Sequence, residues 1–142
     1  MNQHIITVAA LGPDDGGMLT FAAYEAMERA QCLVLRTQQH GVAKLLGEKG
    51  IAFTTLDALY EQSEDFDELC VLAAERLVDM ACESGGLCYA VSEPVSDETV
   101  LTLCAELPQG MAVRVLGGVT LAQGAACAAI ACGVNTENLR TV

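Results

Sequence analysis

The stretch TVAALGPDDGGMLT, residues 7–20, determines how this sequence is interpreted. Its apolar first part stops at Gly12-Pro13, two aspartates and two glycines follow, and a second apolar segment begins at Met18. This order predicts a buried strand that enters a helix through a glycine-rich turn. Because many α/β proteins bind nucleotides at such turns, the stretch raises the question of which ligand it suits.

Apolar segments of strand length alternate with amphipathic segments along the rest of the 142 residues. The predicted strands are 5–10, 32–36, 51–56, 87–91 and 111–116. The predicted helices are 18–29, 42–47, a helix that starts in the acidic segment 61–68 and is ended by Gly85-Gly86, 96–107 with Ser96 as its cap, and 119–132. This alternation predicts an α/β fold with three layers, a mostly parallel five-stranded sheet with helices on both faces. We expect a single domain over residues 1–142, with ligand loops at the carboxyl ends of the strands.

The net charge is −12 at pH 7, from 19 acidic and seven basic residues. A field of this sign repels nucleic acids and anionic membrane surfaces, so neither is expected as a partner. The longest apolar region, 117–134, is rich in Ala and Gly and too weakly hydrophobic to span a bilayer. No leader-like segment is recognised at the amino terminus, and the expected location is the cytoplasm.

The seven cysteines form no Cys-x-x-Cys pair and lie mostly within apolar segments. We expect buried, reduced thiols in a reducing compartment. His4 and His40 are far apart and show no metal-ligand spacing, so no metal is expected. Cys88 has no basic partner nearby in the sequence and is not expected to act as a nucleophile, and no other catalytic residue is indicated.

The turn at 11–17 matches neither of the common phosphate-binding motifs. Ala10 stands where a dinucleotide fingerprint has its first glycine, and Asp14 and Asp15 stand where a phosphate would lie. No Gly-Lys-Ser or Gly-Lys-Thr sequence is present. Two carboxylates favour a positively charged ligand without phosphate, such as S-adenosylmethionine. The alternative is that Asp14 and Asp15 only cap the following helix.

Several segments together resemble one family. The stretch ITVAALGPDDGGMLT resembles the opening of the tetrapyrrole (corrin/porphyrin) methylases, and the likeness continues in AQCLVLRT, FTTLDALYEQSEDFDEL, LCYAVSEP and VRVLGGVTLAQGAA. The segments are most similar to the subgroup whose methylase domain is fused to a MazG-type nucleotide pyrophosphohydrolase. The resemblance covers nearly all of the chain but only the amino-terminal half of that fold, so the second methylase domain is expected to be absent.

The resemblance implies a cleft in which three loops hold S-adenosylmethionine next to a tetrapyrrole-like substrate. The implied ligand-binding residues are Gly12, Pro13 and Asp15 of the first loop, Ser92, Glu93 and Pro94 of the second, and Gly117, Gly118, Val119 and Thr120 of the third. His40 is expected in a surface loop near the edge of the cleft. Tyr60 is expected either to stack on a flat macrocycle or to cover the edge of the sheet.

All three loops depart from the family pattern, whereas the apolar strands are retained. Ala10 and Asp14 replace glycines, the second loop is shorter and lacks its glycine, and Gly117 replaces a proline. These changes favour a scaffold that has lost tight donor binding. Two hypotheses remain: a truncated methyltransferase domain, and a non-catalytic module that supports a MazG-type partner. We expect a homodimer, because the last helix leaves apolar surface uncovered.

Overall fold

The computed structural model of the chain describes residues 4–13, 15–62 and 64–131. Its strands are β1 (His4–Ala10), β2 (Leu33–Leu35), β3 (Thr54–Thr55), β4 (Gly86–Val91) and β5 (Met111–Leu116). Its helices are α1 (Phe21–Arg29), α2 (Gly41–Glu48), α3 (Asp57–Gln62), α4 (Phe66–Ser84), α5 (Glu98–Ala105) and α6 (Leu121–Ala131). A 3₁₀ turn, Pro94–Ser96, lies between β4 and α5.

The strands of the described residues form one parallel sheet in the order β3-β2-β4-β1-β5. The two central strands pair in register from Ile5 with Gly86 to Ala10 with Val91. Because crossover helices cover both faces of a parallel sheet, central strands are largely apolar, as the sequences of β1 and β4 are. The predicted parallel five-stranded sheet is confirmed.

Alternate side chains of the strands enter two separate hydrophobic layers. On one face, Ile6 and Tyr89 belong to a buried cluster that α4 and α5 complete. On the opposite face, Ala9, Leu35 and Ala90 belong to a cluster that α1 and α2 complete. Each fully buried large apolar side chain contributes about 1.5–3 kcal/mol, so these layers hold the helices against both faces. The predicted three-layer arrangement is confirmed.

The first helix begins three residues later than the sequence predicts. Thr20 has an extended backbone, and its hydroxyl accepts a hydrogen bond from the Ala23 N–H at 3.1 Å, so α1 starts at Phe21. The alternative that Asp15 caps this helix is therefore wrong. Asp14 lies outside the described residues.

The fifth helix is capped by Asp97, not by Ser96 as predicted. The Asp97 carboxylate accepts a hydrogen bond from the Val100 N–H at 3.0 Å. Ser96 cannot occupy this position because Pro94 starts a 3₁₀ turn that includes Ser96. The end of α4 is as predicted: Gly85 adopts the left-handed conformation with φ +81°, which glycine adopts without strain.

The acidic segment 61–68 does not form the start of one long helix. Residues 61 and 62 end α3, and a second helix, α4, begins at Phe66. Asp65 separates them because its carboxylate accepts the Asp67 N–H at 3.0 Å and its backbone is extended. The third strand is also shorter than predicted, since the Ile51 N–H donates to the Leu46 carbonyl at 2.9 Å and keeps residue 51 in the turn after α2.

The prediction that the cysteines are buried is wrong for half of those described. Cys70 and Cys88 are buried and Cys32 is half-buried, but Cys82, Cys104 and Cys127 are exposed on the outer faces of α4, α5 and α6. Helices α4 and α5 pack through alanine, valine and leucine side chains, which leaves Cys82 and Cys104 on their exposed sides. Cys132 lies outside the described residues. In the described part of the chain, the helices are all too short or too polar to cross a membrane.

Candidate functional site

The loops after β1 and β4 are joined by main-chain hydrogen bonds at the carboxyl edge of the sheet. The Leu11 N–H donates to the Val91 carbonyl at 2.7 Å, and the Gly12 N–H donates to the Ser92 carbonyl at 3.3 Å. Gly12 is buried with φ +77°, and a Cβ there would lie 3.2 Å from the Met18 carbonyl oxygen. Both its conformation and its surroundings require glycine at this position.

The loop after β5 lies directly against β1. A Cβ built on Gly118 would lie only 2.8 Å from the Cβ of Ala10, whereas the position of a Cβ on Gly117 is open. Ala10 is 2% exposed, so its methyl group fills the space between the two loops. In the resembled family a glycine takes this position, and the alanine therefore narrows the rim between β1 and β5.

The start of α6 is hydrogen-bonded from two directions. The Thr120 hydroxyl accepts the Gln123 N–H at 3.1 Å while the Gln123 side chain accepts the Thr120 N–H at 2.9 Å, which is a capping box. Glu93, in the loop after β4, accepts the Leu121 N–H through its carboxylate. The other carboxylate oxygen of Glu93 accepts the Ser96 hydroxyl at 3.3 Å. Glu93 thus neutralises the positive end of α6 from within the chain.

A cavity of about 390 Å³ opens at this edge of the sheet. Its lining includes three of the ten predicted ligand-binding residues, Pro13, Ser92 and Glu93. The other lining residues are Arg36, His40, Ser96, Asp97 and Leu121. Ligands of parallel α/β proteins bind at the carboxyl ends of the strands, so we assign the candidate site to this cavity.

The remaining predicted residues lie around the cavity or behind it. Asp15 is exposed and lies against the first residue of α2, because a Cβ on Gly41 would come within 2.7 Å of the Asp15 Cα. Pro94 is buried as the first residue of the 3₁₀ turn, and Val119 is half-buried. A larger cavity, of about 750 Å³, is lined by residues such as Ile5 and Gly86 at the amino-terminal ends of their strands.

His40 connects the first loop to α2. It is the N-cap of that helix, and its Nδ1 accepts the Val42 N–H at 3.1 Å. Because Nδ1 is an acceptor, the ring proton lies on Nε2, which donates to the Gly12 carbonyl at 2.9 Å. His40 is therefore a fixed, half-buried wall of the cavity, and not the surface residue that the sequence suggested.

Arg36 follows β2 and enters a network of polar side chains. Its Nε donates to the Tyr60 hydroxyl at 3.4 Å, and its guanidinium carbon lies 5.2 Å from the centre of the Tyr60 ring. The Tyr60 hydroxyl is also 3.0 Å from the Thr99 hydroxyl, and Nη1 of Arg36 is 3.7 Å from the Asp97 carboxylate. Burial opposes the charge on Arg36, but Tyr60 and Asp97 outweigh it, so the pKa of Arg36 is raised.

Tyr89 and Cys88, on β4, carry polar groups that are buried on opposite faces of the sheet: Tyr89 lies beneath the site, and Cys88 belongs to the cluster on the side of α1 and α2. The Tyr89 hydroxyl has no hydrogen-bond partner within the described chain, and its pKa is raised well above its usual value by burial and by the nearby Asp97 charge. Burial raises the pKa of the Cys88 thiol to about 12, which agrees with the prediction that Cys88 is not a nucleophile. No group of three or more His, Cys, Asp or Glu side chains in residues 4–13, 15–62 and 64–131 is arranged to hold a metal ion.

Arg36, Asp97 and Leu121 were missed as site residues by the sequence analysis. Arg36 carried a usable signal, because a cation directly after a buried strand must lie at the carboxyl edge. Asp97 and the Leu121 N–H carried no such sequence signal, because their positions in the cavity depend on how the 3₁₀ turn and α6 pack. Tyr60 was predicted either to stack on a flat macrocycle or to cover the edge of the sheet. In the structure, the guanidinium of Arg36 covers one face of its ring.

No protein-family model and no curated protein matches the sequence. Solved structures do match. Uroporphyrin III C-methyl transferase from Thermus thermophilus matches with a TM-score of 0.58 and 20% identity, over 87% of this chain and 52% of that chain. A cobalamin synthesis related protein (CobF) from Corynebacterium diphtheriae matches with a TM-score of 0.64 and 17% identity, over 100% of this chain and 63% of that chain.

Diphthine synthase also matches, with a TM-score of 0.62 and 15% identity, over 87% of this chain and 47% of that chain. At these identities the likeness shows the fold alone, an α/β fold that this chain shares with the uroporphyrin III C-methyl transferase, the cobalamin synthesis related protein and diphthine synthase. The chain spans between about half and two thirds of the length of these structures.

Proposed function

We propose that this chain is the amino-terminal half of an S-adenosylmethionine-dependent methyltransferase of the tetrapyrrole-methylase type. The observation that carries the proposal is the convergence of the loops after β1 and β4 and the start of α6 on one cavity. The same loops are those that the family resemblance implies as the donor site. The fold shared with a uroporphyrin methyltransferase supports this assignment.

The charges of the rim suit the donor. Glu93 and Asp97 line the cavity, and their carboxylates match the sulfonium and ammonium groups of S-adenosylmethionine. Phosphate-bearing cofactors fit less well, because the same carboxylates repel them. Pro13, Ser92 and Glu93 are the residues that would touch the donor.

Methyl transfer places few chemical demands on the protein. The bound donor supplies an already activated methyl group, so the protein chiefly aligns it with the acceptor. The chain meets that demand with main-chain groups held in place by the Gly12–Ser92 hydrogen bond and by His40. We propose that a second α/β half, outside this sequence, completes the cleft for a tetrapyrrole-like acceptor, as the matched structures are longer than this chain.

A second candidate function is a non-catalytic module that supports a MazG-type pyrophosphohydrolase. It is favoured by two contacts that close the rim from inside. Both oxygens of the Glu93 carboxylate have partners in the chain, and the Ala10 methyl group occupies the space beside Gly118. The carboxylate of a bound donor would therefore find the Leu121 N–H at the start of α6 already occupied by Glu93, which disfavours donor binding.

We propose that this chain by itself, without a second half, self-associates. Leu121 and Ile130 of α6 are 67% and 62% exposed, and Val115 of the edge strand β5 is 43% exposed. Apolar side chains so grouped in sequence need a cover, either the second half or a second copy. A cytoplasmic location is proposed with it, because the exposed Cys82, Cys104 and Cys127 stay reduced there.

Calorimetry with S-adenosylmethionine separates the two functions. The donor is titrated into the longest form of the protein that the gene encodes. A micromolar Kd is expected, and Gly118→Ala should weaken it at least tenfold, because the new methyl group displaces the third loop from Ala10. Gly47→Ala on α2, where a Cβ meets open space, is the control and should leave the Kd unchanged. If no heat of binding is measured at millimolar S-adenosylmethionine, the proposed enzyme is overturned and the non-catalytic module is supported.

A further inference from the structure

The guanidinium of Arg36 is held in place on one side. Tyr60 supports it from below through its ring and accepts its Nε–H, and the Tyr60 hydroxyl is in turn fixed by Thr99. Tyr60 and Thr99 come from α3 and α5, so two helices fix the position of this one side chain. A fixed guanidinium loses less conformational freedom on binding than a free one.

The opposite side of the guanidinium remains available. A guanidinium carries five N–H donors, and the contacts with Tyr60 and Asp97 use its Nε and Nη1. The Arg36 side chain is 43% exposed and lines the rim cavity, so donors remain on the cavity side. The ion pair with Asp97 is long, at 3.7 Å, and leaves room for a competing anion.

The neighbouring charges select the kind of anion. Glu93 and Asp97 line the same cavity, so the double charge of one phosphate group is repelled more strongly than the single charge of one carboxylate group, even where the ligand carries a second carboxylate at its far end. A carboxylate is planar and matches the two parallel N–H groups of a guanidinium. The hydroxyl of Ser92, which also lines the cavity, is a further donor for such a group.

We infer that Arg36, supported by Tyr60, forms a subsite for a carboxylate group of the acceptor substrate on the β2 side of the rim. The subsite lies beside the proposed donor loops. Its assignment to the acceptor substrate rests on the proposed function. Arg36 is a specificity-determining residue here, and Tyr60 is a positioning residue. The binding of the carboxylate itself requires no methyl donor.

The test is a titration of the chain with sodium glutarate, followed through the backbone amides of residues 92–97 in ¹⁵N NMR spectra. Sodium chloride at equal ionic strength and inorganic phosphate are titrated in parallel. We expect saturable shifts with glutarate at millimolar concentration and weaker binding of phosphate. Arg36→Met should weaken glutarate binding at least tenfold. Arg76→Met, which removes an exposed arginine of α4, should bind glutarate like the unaltered chain.

Asp97→Asn is the sharper variant, because it moves the affinity in the opposite direction. The asparagine oxygen still accepts the Val100 N–H as the cap of α5, but the carboxylate that competes for Arg36 is gone. Glutarate should then bind about tenfold more tightly. If Arg36 served only to neutralise Asp97, Asp97→Asn would leave glutarate affinity unchanged.

Three results overturn the inference: no saturable shift with glutarate, tighter binding of phosphate than of glutarate, or unchanged or weaker glutarate binding in Asp97→Asn. If Arg36→Met does not fold, the Asp97→Asn and phosphate titrations decide alone. If the chain binds glutarate but the longest encoded form does not bind S-adenosylmethionine, the proposed enzyme is refuted and the subsite still stands.

Discussion

The two sides of the carboxyl rim differ in how their polar groups are satisfied. On the β5 side, Ala10 fills the gap beside Gly118, and Glu93 bonds to the first residue of α6. On the β2 side, Arg36 is held by Tyr60 but keeps donors towards an open cavity. On the β5 side, the groups of the rim contact one another within the chain, whereas on the β2 side N–H donors of Arg36 still face the cavity.

This difference teaches that a retained fold does not retain its ligand contacts uniformly. Both sides stand on the same buried strands, and their loops leave the sheet at the same edge. A single added methyl group and one carboxylate suffice to close the β5 side, because loops there approach within van der Waals distance.

The largest expected change in stability comes from the packing of α5, the helix that Asp97 caps on the open side of the rim. Leu103 is fully buried on this helix, and Leu103→Ala should lower the free energy of unfolding by about 2–5 kcal/mol. Urea unfolding measures it. Leu101→Ala on the same helix is the control, since Leu101 is 48% exposed and should cost far less. Equal losses would show that α5 is not packed as described.

The next effect concerns the wall between the two sides, where the first loop meets α2. Gly41→Ala places a methyl group within 2.7 Å of the Asp15 Cα and should destabilise the fold by about 1–3 kcal/mol. Gly47→Ala in the same helix meets open space and should be neutral or stabilising by up to about 1 kcal/mol. Thermal unfolding of the pair measures the difference, and the same Tm in both would contradict this contact.

Tyr89 and Tyr60, both near the open side of the rim, are expected to respond in opposite ways to replacement by phenylalanine. The buried Tyr89 hydroxyl lacks a partner in the described chain, so Tyr89→Phe should raise the free energy of unfolding by about 1 kcal/mol. Tyr60→Phe keeps the ring but removes the hydrogen bonds of the Tyr60 hydroxyl with Arg36 and Thr99, and should lower the free energy of unfolding by about 1 kcal/mol. Chemical denaturation of both variants gives the two signs, and a destabilised Tyr89→Phe would reveal a hydrogen bond to that hydroxyl.

The smallest effect comes from Asp57, which anchors the loop after Arg36. Its pKa is lowered, chiefly because its carboxylate accepts the Gln38 N–H at 2.8 Å. A lowered native pKa means that this stabilisation is present at neutral pH and is lost as the pH falls through that value. Asp57→Asn should cost at most about 0.5 kcal/mol at pH 7 and nothing at pH 2. Unfolding at the two pH values measures it, and a larger cost at pH 2 would reverse the assignment.

Much of the fold could be predicted, but the details of the site could not. The strand at 111–116 is predicted to the residue, because Gly110 and Gly117 bound an apolar run that only Arg114 interrupts. The third strand was predicted too long, since its length depends on the three residues of β2 beside it. Of the predicted ligand residues, Pro13, Ser92 and Glu93 line the cavity, and their contact with a ligand stays a prediction.

Burial explains what the amino-acid order determined by itself. Apolar runs must leave water, and their alternation with amphipathic segments allows little besides a parallel sheet covered on both faces, with its loops at one edge. The tertiary structure alone decided which polar groups meet there. Glu93 and Leu121 are 28 residues apart, and Tyr60 and Thr99 are 39 apart. Hydrogen bonds act over about 3 Å, so such pairings depend on the exact placement of whole helices, which no local pattern encodes.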